Sequence, residues 1–106
     1  MDKKSVIEIL DRFHHEMKAR GIIVQKLILY GSYADGTNHE GSDIDIVVIS
    51  DDFTGKDYWE RIEILTDVIY EIDAPIEAVA MTREEWDNGG LFITDFARNG
   101  EVFFAV

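Results

Sequence analysis

Apolar residues recur over the first twenty positions at helical spacing. Val6, Ile7, Leu10, Phe13 and Met17 fall on one stripe, which predicts an amphipathic helix from residue 3 to about residue 20, closed by Gly21. The pattern then becomes continuous. "IIVQKLILY" reads as a strand, best between Gln25 and Tyr30, and "DIDIVVIS" as a second one rich in β-branched residues. Between them "GSYADGTNHEGS" is rich in Gly, Ser, Asn and Asp and predicts a loop or a short helical turn. After "DDFTG" the helical period returns over residues 57–72, with Trp59, Ile62, Leu65, Ile69 and Ile72 as its stripe and "DAP" as its stop. "IEAVAM" predicts a short third strand. Thr82 followed three residues later by Glu85 is a capping-box signature, so a short helix is expected from about Arg83 to the "GG" pair. "LFITDFARNG" predicts one more helical segment capped by Asn99 and Gly100, and "EVFFAV" a terminal strand. Strands interleaved with helices predict an α/β (α+β) fold, a small mixed sheet with helices packed on one face and the other face partly open. Repeats, linkers and low-complexity stretches are absent, so residues 1–106 are expected to form a single domain.

Composition narrows the functional classes. Ten Lys and Arg face 22 Asp and Glu, a formal charge of −12. Such a surface repels phosphate backbones, which argues against nucleic acid and for a basic protein partner or for metal ions that carry phosphate. There are no cysteines, which excludes disulfides, thiolate zinc sites and cysteine nucleophiles. The start "MDKKSVIEILDRF" has no long apolar core, and no apolar run approaches the ~20 residues of a membrane span, so a cytoplasmic location is expected.

The chemistry concentrates in "LYGSYADGTNHEGSDIDIVVIS". Asp43 and Asp45 stand two apart at the start of a strand, on one face, while Ile44 and Ile46 turn to the core. Like charges so close are unfavourable unless a cation offsets them, and paired carboxylates suit Mg²⁺, a hard cation that prefers oxygen ligands. Gly31 follows the preceding strand directly, where it permits a sharp turn and close approach of a ligand to the backbone. A helical turn starting near Ser32 would aim N–H groups at an anion, and the Ser32 hydroxyl could add a hydrogen bond to phosphate. Glu77 is the only charged residue within "PIEAVAM"; if that strand lies beside the second one, Glu77 joins the pair, and three acids suit a two-metal phosphoryl or nucleotidyl transfer. The third acid could also help deprotonate the attacking hydroxyl.

Gly31-Ser32, ten intervening residues, then Asp43-Ile44-Asp45 resembles the signature of the polymerase-β-like nucleotidyltransferase superfamily. "GSYADGT" and "SDIDIVV" are similar in wording to minimal nucleotidyltransferases of the MNT type. The resemblance implies that Gly31 and Ser32 hold the phosphates of a nucleoside triphosphate, and that Asp43 and Asp45 bind two Mg²⁺ ions. It makes Glu77 the third carboxylate, where many members have Asp, and sets Tyr33 and Asp35 where many carry Arg. It further implies transfer of a nucleoside monophosphate, AMP from ATP, to an acceptor hydroxyl, and association with a HEPN-type protein in a toxin–antitoxin pair. The alternative it leaves is a weak or inactive antitoxin-like module that neutralises such a partner by binding. The D-x-D-x-V pattern also fits haloacid-dehalogenase-like phosphatases, but there the acids end an apolar strand, and here they begin one.

Among the remaining residues, His14 and His15 are expected on a solvated helix face and His39 in the loop. Trp59 and Trp86 are assigned to core or partner surface. Tyr30 and Tyr33 flank the turn, where a base or partner contact is the secondary reading. Phe92, Ile93, Phe96, Phe103 and Phe104 are expected to pack in the core, with a dimer or partner interface as the second reading.

Overall fold

The structure, a computed structural model, describes residues 1–105. Four strands, β1 (Lys26–Tyr30), β2 (Ile44–Ile49), β3 (Ile76–Met81) and β4 (Glu101–Ala105), form one mixed sheet in the order β3-β2-β1-β4. β1 runs antiparallel to both β2 and β4, and β2 runs parallel to β3. Helices α1 (Lys3–Ala19), α2 (Ser32–Asp35), α3 (Tyr58–Ile72), α4 (Arg83–Asn88) and α5 (Phe92–Ala97) connect them. Every predicted element is present within a residue or two of its expected bounds. The predicted terminal strand includes Val106, which lies outside the described residues.

Local chemistry explains the helix ends. The Asp2 carboxylate accepts from the Ser5 N–H at 2.8 Å and caps α1. Asp57 and Glu60 form a reciprocal capping box on α3, and Thr82 and Glu85 form the expected one on α4. Asp73 adopts a left-handed conformation that ends α3 just before Pro75.

The sheet is apolar on both faces. Leu27, Leu29, Ile44, Ile46 and Val48 pack under α1 and α3, against Val6, Leu10, Phe13, Met17, Leu65, Val68 and Ile72. On the opposite face Ile28, Tyr30, Val47 and Ile49 meet Trp86 of α4 and Ala97 of α5. The two short helices thus cover part of the second face and leave its β3 side open, as the half-buried Val79 shows. Continuous apolar runs in β1 and β2 follow from burial on both faces.

The buried row of α3 differs from the predicted stripe. Trp59 is 74% exposed, while Val68 is fully buried. At 100° per residue Trp59 stands about 120° around the helix from Leu65, whereas Val68 and Ile72 stand within about 60° of it. Trp59 instead meets Tyr58 edge to face at 5.1 Å on the surface.

Candidate active site

The three acids converge because of strand register. Asp45 lies opposite Glu77 in the parallel β2–β3 ladder and opposite Tyr30 in the antiparallel β1–β2 ladder. Partners directly across a ladder project to the same face, so Tyr30, Asp45 and Glu77 form a row across three adjacent strands. Asp43 precedes β2 by one residue and is exposed, as is Glu77; Asp45 between them is half-buried.

The electrostatics follow from this placement. Burial pushes the Asp45 carboxyl up to about 6, helped by the charge of Glu77, a hydrogen bond shared with Glu77, and the charge of Asp43. Burial also raises the Tyr30 hydroxyl to about 12, with Asp45 and Glu77 adding to the shift. Tyr30 therefore remains a protonated donor beside the acids at any physiological pH. The row holds concentrated negative charge, and all its donors are oxygens, as a hard cation prefers. Among the described residues no three Asp, Glu or His side chains stand ready-made as a metal cage.

Gly31 sits at the end of β1 with φ +73° and ψ −154°, a region open essentially to glycine alone. It faces Asp45 so closely that an added Cβ would overlap the carboxylate. The turn into α2 follows at once. Its Ala34 and Asp35 amides donate to the Gly31 carbonyl at 3.1 and 3.0 Å, while the Ser32 and Tyr33 N–H groups have no partner within the chain among the described residues. Gly31, Ser32, Asp43, Asp45 and Glu77 are thus brought together at one end of the sheet.

The other residues fall outside this row. Tyr33 is buried in the core below α1 and α3. His39 donates its N–H to the Ser42 hydroxyl at 2.9 Å and shapes the loop before Asp43. His14 is half-buried with its ring 4.2 Å from that of Phe104, and His15 is exposed. Trp86 is buried and carries the Arg98 guanidinium over its ring at 5.0 Å. A groove of about 450 Å³ runs between α3 and the β3 edge, lined by Arg61, Ile62, Ala78, Val79 and Met81, and includes none of the five site residues.

Two features of this region depart from the sequence reading or lie beyond it. Phe92 and Phe96, expected in the core, are 84% and 58% exposed. On a six-residue helix their i, i+4 spacing puts both on one side, and Thr94 and Ala97 take the buried side. The place of Tyr30 among the acids needs the β1–β2 register, which sequence spacing does not supply.

Comparison with known proteins agrees with the geometry. Residues 10–90 match the family described as Nucleotidyltransferase domain. A candidate protein adenylyltransferase of Methanocaldococcus jannaschii is 39% identical over 67% of this chain and 48% of its own length. A second from the same organism is 32% identical over 78% of this chain and 76% of its own length. The chain therefore spans about half of the first relative and about three quarters of the second. A crystal structure of a candidate nucleotidyltransferase from Sulfolobus solfataricus superposes with a TM-score of 0.71, at 15% identity, over 93% of this chain and 79% of the other. A crystal structure of a toxin–antitoxin with AMP-PNP superposes with a TM-score of 0.66, at 21% identity, over 91% and 73%.

Proposed function

The chain belongs to the nucleotidyltransferase domain family, and on that premise we propose that it moves AMP from ATP onto a hydroxyl of a partner protein. The observation that carries the reading is the row of Asp45 and Glu77 in register, with Asp43 nearby and Gly31 packed against Asp45. Protein adenylyltransferase is the name carried by both archaeal relatives, and a toxin–antitoxin with AMP-PNP shares the fold. A partner of the HEPN type fits that context, and an acidic chain of charge −12 suits a protein acceptor better than RNA.

Asp43, Asp45 and Glu77 would hold two Mg²⁺ ions. When bound, these ions neutralise the charge that develops on the transferring phosphoryl group. The chain's own residues do the rest. Gly31 leaves room for the Asp45 carboxylate against the backbone, and the Ser32 N–H and hydroxyl orient the triphosphate. The acceptor oxygen bonds to the α-phosphorus in line as the bond to pyrophosphate breaks, and the leaving oxygen keeps the electron pair. The proton of the acceptor hydroxyl passes to an oxygen of the ionised Glu77 carboxylate.

One observation favours a second reading. α2 supplies no cation to a triphosphate, because Tyr33 is in the core and Asp35 adds negative charge. A chain with weak or absent transfer would then act as an antitoxin-like module that masks its partner by binding.

Intact mass of the partner separates the two. The protein that copurifies from the native host is compared after expression with wild type and with Asp43→Asn/Asp45→Asn. Whole AMP units added only by wild type establish transfer. An unmodified partner held equally by both versions establishes binding alone.

A further inference from the structure

We propose that Phe96, backed by Phe92, is the platform on which the base of the bound nucleotide stacks. The proposal rests on nucleotide binding at the carboxylate row and extends it to the other end of the ligand. The Phe92 and Phe96 rings stack 6.0 Å apart at 29°, leaving 84% and 58% of these residues open to solvent. An open apolar pair on so short a helix gains little from the fold itself, since Ala97 and Thr94 already make the buried contacts of α5.

Its position is not arbitrary. Phe96 meets the Tyr30 ring edge to face at 5.8 Å, and Tyr30 lies directly across the ladder from Asp45. Gly100 holds α5 there: a Cβ at that position would stand 2.6 Å from the Leu29 carbonyl oxygen and 2.8 Å from Ile28 Cγ2. A nucleobase is joined to its α-phosphate through a single ribose, so a base platform must lie close to the phosphate site. Phe96 is one aromatic ring away from it. Charge points the same way. Against a surface of −12, affinity has to come from metal at the phosphates and from an uncharged contact at the base. Phenylalanine offers a π-face and no hydrogen bonds, so it holds a base without reading which base it is.

The test compares Mg²⁺-ATP, Mg²⁺-GTP and Mg²⁺-tripolyphosphate by titration calorimetry, on wild type, Phe92→Ala/Phe96→Ala, Phe96→Trp and Asp45→Asn. The double alanine variant is expected to bind ATP and GTP roughly tenfold to hundredfold more weakly, and tripolyphosphate as wild type does. Phe96→Trp should retain ATP affinity. Equal loss for ATP and tripolyphosphate would overturn the proposal, as would loss of partner retention with ATP affinity intact, which would make the pair a protein contact. ATP affinity unchanged in the double variant but lost in Asp45→Asn would sink the platform and leave the nucleotide site standing. Wild type that binds neither nucleotide nor tripolyphosphate would remove the nucleotide site and the platform together.

Discussion

Asp45 stands at the centre of the carboxylate row, and its environment makes its ionised form costly to the fold. The folded chain holds its proton up to about pH 6, against an ordinary value of 3.8, so the folded state binds more protons between those values. Stability contributed by the protonated form is present below pH 3.8 and is lost as pH rises through 6. Asp45→Asn is therefore expected to stabilise the metal-free protein at pH 7.5 by about 1–2 kcal/mol after solvent screening. That corresponds to a rise in Tm of roughly 4–8 °C per kcal/mol, and the gain should shrink toward pH 4. Thermal melts in chelator at the two pH values check it, and an unchanged or lower Tm at pH 7.5 would refute it. Gly31→Ala should act in the opposite sense, costing about 1–3 kcal/mol in urea unfolding, because the backbone is left-handed there and the new Cβ displaces the Asp45 carboxylate. The acids and Gly31 were legible in the sequence because their spacing is local to one loop and one strand. Glu77 was legible as an odd acid in an apolar strand. Tyr30 and Phe96 were not, because only strand register and the docking of α5 bring them to the row.

At the level of elements, hydrophobic period and capping chemistry sufficed to place each helix and strand, and they failed where an amphipathic stripe had two plausible phases. In α3 the predicted row 59–62–65–69–72 and the buried row 65–68–72 share residues: Trp59 leaves the buried side, Val68 joins it, and Arg61 stands beside it. A charged residue reads as surface, yet its side chain is only 15% exposed. Arg61 donates to the Glu85 carboxylate at 2.6 Å, to the Lys56 carbonyl at 3.0 Å and to the Phe53 carbonyl at 3.1 Å. It joins the start of α3 to the turn before it and to the capping box of α4. Arg61→Met is expected to cost about 2–3 kcal/mol, since two carbonyls lose a charged donor and Glu85 loses its partner. The same measurement on Arg20→Met, an exposed pair with Glu16 one helical turn away, should show less than about 1 kcal/mol. Equal losses would mean that Arg61 does not tie the elements together.

The whole molecule carries its charge as a penalty. With 22 acids against ten Lys and Arg, mutual repulsion favours expansion, and screening relieves it. Tm should rise as NaCl goes from low millimolar to about 0.3 M, and Asp45→Asn should rise less, having already lost one repulsive charge; a flat or falling profile for wild type would contradict this. The parallel pairing of β2 with β3 has a further consequence, in time. Parallel neighbours cannot be joined by a tight turn, so Asp45 meets Glu77 only after residues 50 to 75, with α3 among them, have crossed over the sheet. A chain emerging from the ribosome can finish α1, β1 and β2 and still have no carboxylate row. Phe96 follows about twenty residues later. The proposed nucleotide site is thus assembled only after β3 has docked, through a parallel, non-local pairing of the kind that forms slowly.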